Sequence, residues 1–156
     1  MTAAALLEKL YCSHRLEKEE WETLIAGYTP ELAEKAAELA RKVREPYYGK
    51  QVYVRGLIEF TSFCRNDCLY CGLRRSNRNA QRYRLTQEEI LFCCETGWKL
   101  GFRTFVLQGG EDPWFTDEKI CSIVKAIKSH WPQCAVTLSI GEKSRESYQA
   151  FRQAGA

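Results

Sequence analysis

Three cysteines are set apart by their spacing: Cys64, Cys68 and Cys71, in the segment Cys-Arg-Asn-Asp-Cys-Leu-Tyr-Cys-Gly. A structural zinc site closes with four ligands. This segment supplies three, and the two histidines, His14 and His130, fall in predicted helices away from it. A ferredoxin-type cluster draws in a fourth thiolate. Cys93, Cys94 and Cys121 lie in predicted helices, Cys134 flanks a predicted strand, and Cys12 lies in the N-terminal helical region. These five are expected to pack as small buried hydrophobes. Three thiolates on a cubane leave one iron open to an exogenous molecule. A molecule bound there can accept an electron directly from the metal. Gly72 gives the chain room to pass close to such a cluster. Tyr70 offers a ring to pack beside an adenine.

Other residues could complete a site. Gln108-Gly109-Gly110-Glu111-Asp112-Pro113 follows a predicted strand. Its glycines allow close backbone approach to a ligand, and Glu111 offers a carboxylate to an ammonium group. In isolation this is an ordinary polar turn. Its place at the C-terminal end of a strand, one unit after the cysteines, favours a binding role. In Val136-Thr137-Leu138-Ser139-Ile140, alternation puts Thr137 and Ser139 on the face opposite the aliphatic residues. In a barrel that hydroxyl face points into the lumen. Arg55 and Glu59 share a face with Leu57 on the first strand. Arg55 then either binds substrate or pairs with Glu59, because buried charge is costly unless paired. The basic run Arg74, Arg75, Arg78, Arg82 and Arg84 is read either as a solvated loop or as a cover or partner surface for the cysteine loop.

The elements that must position these residues alternate in type. Residues 1–44 read as helices, with Leu6, Leu7 and Leu10 on one face and Trp21, Leu24 and Ile25 at helical spacing. Thr29 and Pro30 start a helix that Pro46 and Gly49 are expected to end. Val52 to Phe60 reads as a strand, and residues 61–85 as a long loop, a length usually reserved for function. A capping box at Thr86 to Glu89 opens a helix to about Leu100. Arg103 to Gln108 is a strand, Thr116 caps a helix to about Ser129, Ala135 to Ile140 is a strand, and Ser144 opens a last helix. Alternating strands and helices imply a parallel sheet with right-handed crossovers. No strand–Gly-x-Gly-x-x-Gly–helix element points to a dinucleotide fold.

The expected fold is α/β. Residues 1–50 form a helical extension, and residues 51–156 form the N-terminal part of a TIM-type (β/α) barrel, about three βα units. A closed eight-unit barrel takes about 250 residues, so the barrel is expected to be C-terminally truncated and this segment alone inactive. The chain has 156 residues and a formal charge of +3 from 23 basic and 20 acidic side chains. That balance and the lack of a basic stripe argue against nucleic acid. No apolar run is long enough to span a membrane, and no signal-peptide pattern is present. The expected location is the cytoplasm, where eight cysteines are not a disulfide framework.

The Cys-x3-Cys-x-aromatic-Cys segment after a strand resembles the radical S-adenosylmethionine superfamily, whose fold is a partial or full (β/α) barrel with the cluster in the loop after the first strand. The resemblance implies a [4Fe–4S] cluster on Cys64, Cys68 and Cys71. It implies S-adenosyl-L-methionine bound with help from Tyr70, Gly109, Gly110, Glu111 and Ser139, Glu111 taking the amino group. The wording around these residues is more particular. Arg55 to Phe60, Cys64 to Arg75, Arg82 to Ile90, Val106 to Pro113 and Thr137 to Glu142 resemble the [FeFe]-hydrogenase maturases of the HydE type, in the biotin synthase-like group. The match is to the N-terminal half of such an enzyme, with Gly109 standing where some members carry serine. It implies Arg55, Gln108 and Thr137 at a small-molecule or organometallic substrate. It also implies a low-potential electron donor of the ferredoxin or flavodoxin type, and other hydrogenase maturation proteins as partners. Biotin synthase-like and methylornithine synthase-like chemistries share the same cysteines. An iron–sulfur carrier or scaffold that leaves the cofactor intact is the alternative of a different class.

Overall fold

The structure, a computed structural model, describes residues 1–156. They divide into two compact units, Met1–Val52 and Tyr53–Ala156. The first unit holds α1 (Ala3–Ser13), α2 (Lys18–Ala26) and α3 (Pro30–Tyr48). Leu6, Leu7, Leu16 and Leu39 are its buried side chains. The Thr2 and Thr29 hydroxyls accept the backbone N–H groups of Ala5 and Leu32, closing two helix N-termini. Contrary to expectation, α3 continues through Pro46 to Tyr48. The proline sits in the last turn, where losing one N–H donor costs little that water cannot replace. The Gly49 N–H then closes the helix on the Glu45 carbonyl at 2.9 Å.

The second unit holds β1 (Gly56–Thr61), α4 (Gln87–Lys99), β2 (Thr104–Gly109), α5 (Asp117–His130), β3 (Ala135–Ser139) and α6 (Arg145–Ala154). The strands form one parallel sheet in the order β1-β2-β3. It is the α/β barrel fragment that the alternating pattern requires. Thr86, Thr116 and Ser144 cap α4, α5 and α6 through their hydroxyls. Ile58 and Phe60, Phe105 and Leu107, and Val136 point from the strands into one buried cluster. There they meet Ile90 and Cys94 of α4, Ile120, Ile123, Val124 and Ile127 of α5, and Phe151 of α6. Burying each such large side chain contributes about 1.5–3 kcal/mol.

The first strand is shorter than its composition suggests. Val52, Tyr53 and Val54 are exposed and lie outside the sheet. Pairing with β2 begins only at Gly56 opposite Phe105; strand-forming side chains alone do not extend the ladder. Two of the cysteines expected to pack inside do not: Cys12 and Cys93 are exposed. Cys93 and Cys94 are consecutive on α4, about 100° apart around its axis, so only Cys94 faces the core.

Register fixes the other face of the sheet. Glu59, Gln108 and Ser139 form one cross-strand row, and Leu57, Val106 and Thr137 form the next. These side chains point away from the helices.

Candidate functional site

The cysteine loop leaves the C-terminal end of β1 and returns beside it. An antiparallel bridge joins Thr61 to Arg84. The Ser62 N–H donates to the Tyr83 carbonyl (3.1 Å) and the Leu85 N–H to the Phe60 carbonyl (2.8 Å). The Ser62 hydroxyl accepts the Tyr83 N–H at 2.7 Å. Within the loop there is no helix or strand, so other groups must satisfy its carbonyls. The Arg82 guanidinium does much of this. It donates to the carbonyls of Ser62, Leu73 (2.9 Å), Arg74 (2.8 Å) and Asn77 (3.3 Å). Asp67 accepts the Ser76 N–H (3.0 Å), and the Asn77 amide donates to the Gly72 carbonyl (2.8 Å). Cys64 and Cys71 are half-buried and Cys68 is exposed. Tyr70 is 93% exposed.

The β2 loop packs directly on this one. A side-chain carbon at Gly110 would lie 2.3 Å from the Phe63 carbonyl oxygen and 2.6 Å from Cys64 Cβ. At Gly109 it would lie 2.5 Å from Thr61 Cγ2. Both glycines are therefore needed for contact between the two loops. The Arg65 N–H donates to the Glu111 carbonyl at 2.9 Å. The Arg65 guanidinium donates to Glu111 Oε2 at 2.9 and 2.8 Å. Gly141, at φ +82°, lies so close that any side chain would strike the Glu111 carboxylate. The Arg65 hydrogen bond, opposed by burial and helped by Asn66 and the Glu142 backbone, holds the Glu111 carboxyl below the usual glutamate range. Glu111 is thus an ionised carboxylate already holding a cation. A cavity of about 500 Å³ opens here, lined by Arg65, Glu111, Glu142, Lys143 and Ser144. That is within the size range of small-molecule sites.

Gln108, Thr137 and Ser139 are exposed on the free face of the sheet, Gln108 and Ser139 side by side. Arg55 is not brought to them. It precedes β1, outside the paired residues, and makes no ion pair with Glu59.

No three His, Cys, Asp or Glu side chains are gathered in ion-holding geometry. The donor set itself fits an iron–sulfur cluster: three thiols on one loop with no histidine among them, the one carboxylate between them, Asp67, being engaged by the Ser76 N–H. Gly72 meets no atom within 4 Å of an added side-chain carbon, so nothing crowds that corner of the loop.

Four residues here were not singled out as site residues by the sequence: Arg65, Arg82, Arg84 and Asp112. The visible signal was the excess of arginine between residues 65 and 84. Those guanidiniums donate to loop carbonyls and carboxylates, Arg65 while still largely exposed.

No family model matches the chain. The [FeFe] hydrogenase maturase subunit HydE of Thermotoga maritima is 48% identical over 119 residues, covering 76% of this chain and 34% of that protein. The 3-methylornithine synthase of Methanosarcina barkeri is 32% identical over 126 residues, covering 80% of this chain and 36% of its own length. Among solved structures, methylornithine synthase (PylB) superposes with a TM-score of 0.83 at 30% identity, covering 97% of this chain and 45% of that one. The chain spans about a third of the length of the curated relatives it matches.

Proposed function

The chain belongs to the radical S-adenosylmethionine superfamily, in the group of HydE, methylornithine synthase and biotin synthase, and from that relation we propose that it forms the cluster- and cofactor-binding part of a HydE-like hydrogenase maturase. The contact between the cysteine loop and the Gly109-Gly110-Glu111 loop carries this reading. It sets three thiols and the Arg65-paired carboxylate of Glu111 on neighbouring segments at the C-terminal ends of adjacent strands, where barrel enzymes keep their chemistry.

Cys64, Cys68 and Cys71 would hold a [4Fe–4S] cluster through their thiolates. When bound, the reduced cluster supplies the electron that cleaves S-adenosylmethionine into methionine and a 5′-deoxyadenosyl radical. Glu111 binds the amino group of the methionine part, exchanging the Arg65 guanidinium for an ammonium. Gly109 and Gly110 keep that carboxylate close to the cysteine loop, and the exposed Tyr70 ring is free to cover the adenine. Ser139 faces the cofactor, while Gln108 and Thr137 line the substrate side of the free sheet face. Arg55, one residue before β1, is the most distant of the proposed substrate contacts. The carrier alternative leaves an amino-binding carboxylate without a purpose. The identity to HydE, 48% against 32% for methylornithine synthase, favours maturation of the hydrogenase di-iron site. Its partners would be a low-potential electron donor and other maturation proteins.

The test is anaerobic reconstitution of the intact protein with iron and sulfide, reduction with dithionite, and quantitation of 5′-deoxyadenosine. Release of the nucleoside is expected. Alanine at any one of the three cysteines should abolish it and lower the bound iron. Turnover that survives these substitutions would refute the assignment.

A further inference from the structure

Next to Glu111 lies a second ion pair, between Arg84 and Asp112, whose aspartate lines the same cavity. Arg84 Nε donates to Asp112 Oδ2 at 2.6 Å and its terminal nitrogen to Oδ1 at 2.9 Å, a two-pronged pair. The Asp112 side chain is only 1% exposed. It also accepts the Thr61 hydroxyl at 2.8 Å and the Trp114 N–H at 3.1 Å. The Arg84 guanidinium lies 3.9 Å from the centre of the Phe63 ring and 5.5 Å from that of Trp114. On Trp114 in turn sits the Lys119 ammonium, at 3.3 Å. The stack Phe63–Arg84–Trp114–Lys119 therefore runs from the start of the cysteine loop to the first turn of α5.

The pair joins three segments that are far apart in sequence. Thr61 is the last residue of β1, Arg84 closes the cysteine loop, and Asp112 follows Glu111 directly. No other ion pair reaches from the loop's end to the glycine turn. Glu111 and Asp112 are consecutive, so a shift of one carboxylate moves the other's backbone. The Asp112 N–H is itself turned onto the Gly110 carbonyl at 2.9 Å. The geometry fixes the Gly110–Glu111 peptide against Cys64 and leaves the Glu111 carboxylate lining the cavity.

We propose that Arg84 and Asp112 are a positioning pair that sets the affinity for S-adenosylmethionine by holding Glu111 in register with the cysteine loop. The proposal rests on the reading of Glu111 as the amino-group ligand. Lysine cannot replace Arg84, because it offers one point charge where the aspartate and two rings receive a planar fork. Asparagine cannot replace Asp112, because its amide would present donors to the Arg84 fork.

The experiment uses the intact, anaerobically reconstituted protein in four forms: unaltered, Arg84→Lys, Asp112→Asn and Glu111→Gln. Three quantities are read: iron and sulfide content, S-adenosylmethionine affinity by equilibrium titration, and the change in the EPR spectrum of the reduced cluster on adding S-adenosylmethionine. Arg84→Lys and Asp112→Asn should keep their iron and their melting temperature to within a few degrees. Their cofactor affinity should fall roughly tenfold to a hundredfold, the usual cost of an outer-shell partner, and the cofactor-induced EPR change should shrink. A fall in melting temperature with undiminished affinity in the folded, cluster-bearing fraction would make the pair purely structural and overturn the proposal. So would loss of iron, which would assign the pair to the cysteines. If Glu111→Gln loses affinity while the other two variants do not, the positioning role alone falls. If Glu111→Gln binds as the unaltered protein does, the ligand reading falls and the proposal with it.

Discussion

Cys93 and Cys94 are neighbours in sequence with opposite fates. Burial, reinforced by the nearby Cys134 and Cys93 sulfurs, pushes the Cys94 thiol up to about 12. Burial also raises the Cys134 thiol. Since the thiolate is the reactive form, both should resist alkylation in the folded protein. Iodoacetamide at pH 8 should label Cys93 and Cys12 within minutes and spare Cys94 and Cys134 until denaturant is added, as read by peptide mass spectrometry. Early labelling of Cys94 would mean that α4 opens locally. Asp112 offers a second prediction. Burial pushes its carboxyl up, but Arg84, the Thr61 hydroxyl and the Trp114 N–H outweigh that and hold it below the usual aspartate range. A carboxyl lowered in the folded state lends stability above its unfolded value of about 3.9. That stability is lost as the pH falls through the lower folded value. Urea unfolding between pH 2 and 7 should show a steeper acid loss for the native protein than for Asp112→Asn. Parallel curves would show that the pair contributes nothing to acid stability.

At the scale of elements, α4 and β2 are fitted to each other at one glycine. An alanine in a helix interior normally gains up to about 1 kcal/mol over glycine. At Gly97 the new carbon would stand 2.8 Å from Phe105 Cε1, a ring in the buried cluster. Overpacking of that kind costs about 1–3 kcal/mol. Gly97→Ala should therefore lower the urea midpoint; a rise would mean that the ring can retreat. Such fits explain what the sequence revealed and what it concealed. The caps at Thr86, Thr116 and Ser144 were legible because a cap is made within four residues. The faces of β3, and of β1 from Leu57 to Glu59, were legible because alternation is local. The start of β1 was not, because Val52 to Val54 have strand-forming side chains but no neighbouring strand. The cysteine spacing and the glycine turn were legible as a motif. The pairs Arg84–Asp112 and Arg65–Glu111 were not, since they join residues 28 and 46 apart in sequence. Only the folded register of β1 on β2 brings them together.

For the barrel unit as a whole, the two faces of the sheet have unequal cover. The helices α4, α5 and α6 bury one face, whereas the other presents Leu57, 55% exposed, beside Val106 and Thr137. Parallel sheets are ordinarily covered on both faces, and β1 and β3 each keep one unpaired edge, which invites further pairing. The 156-residue chain taken by itself should therefore self-associate, with Leu57 near the centre of the contact. Sedimentation velocity over a range of concentrations should show larger species that Leu57→Lys diminishes. Because Leu57 lies outside the buried cluster, its replacement should change stability by no more than about 0.5 kcal/mol, as exposed sites do. Association that persists in Leu57→Lys would move the contact elsewhere, for instance to the outer side of α4, where Phe92 is also exposed. Association that disappears would identify the free sheet face as the surface through which the chain associates.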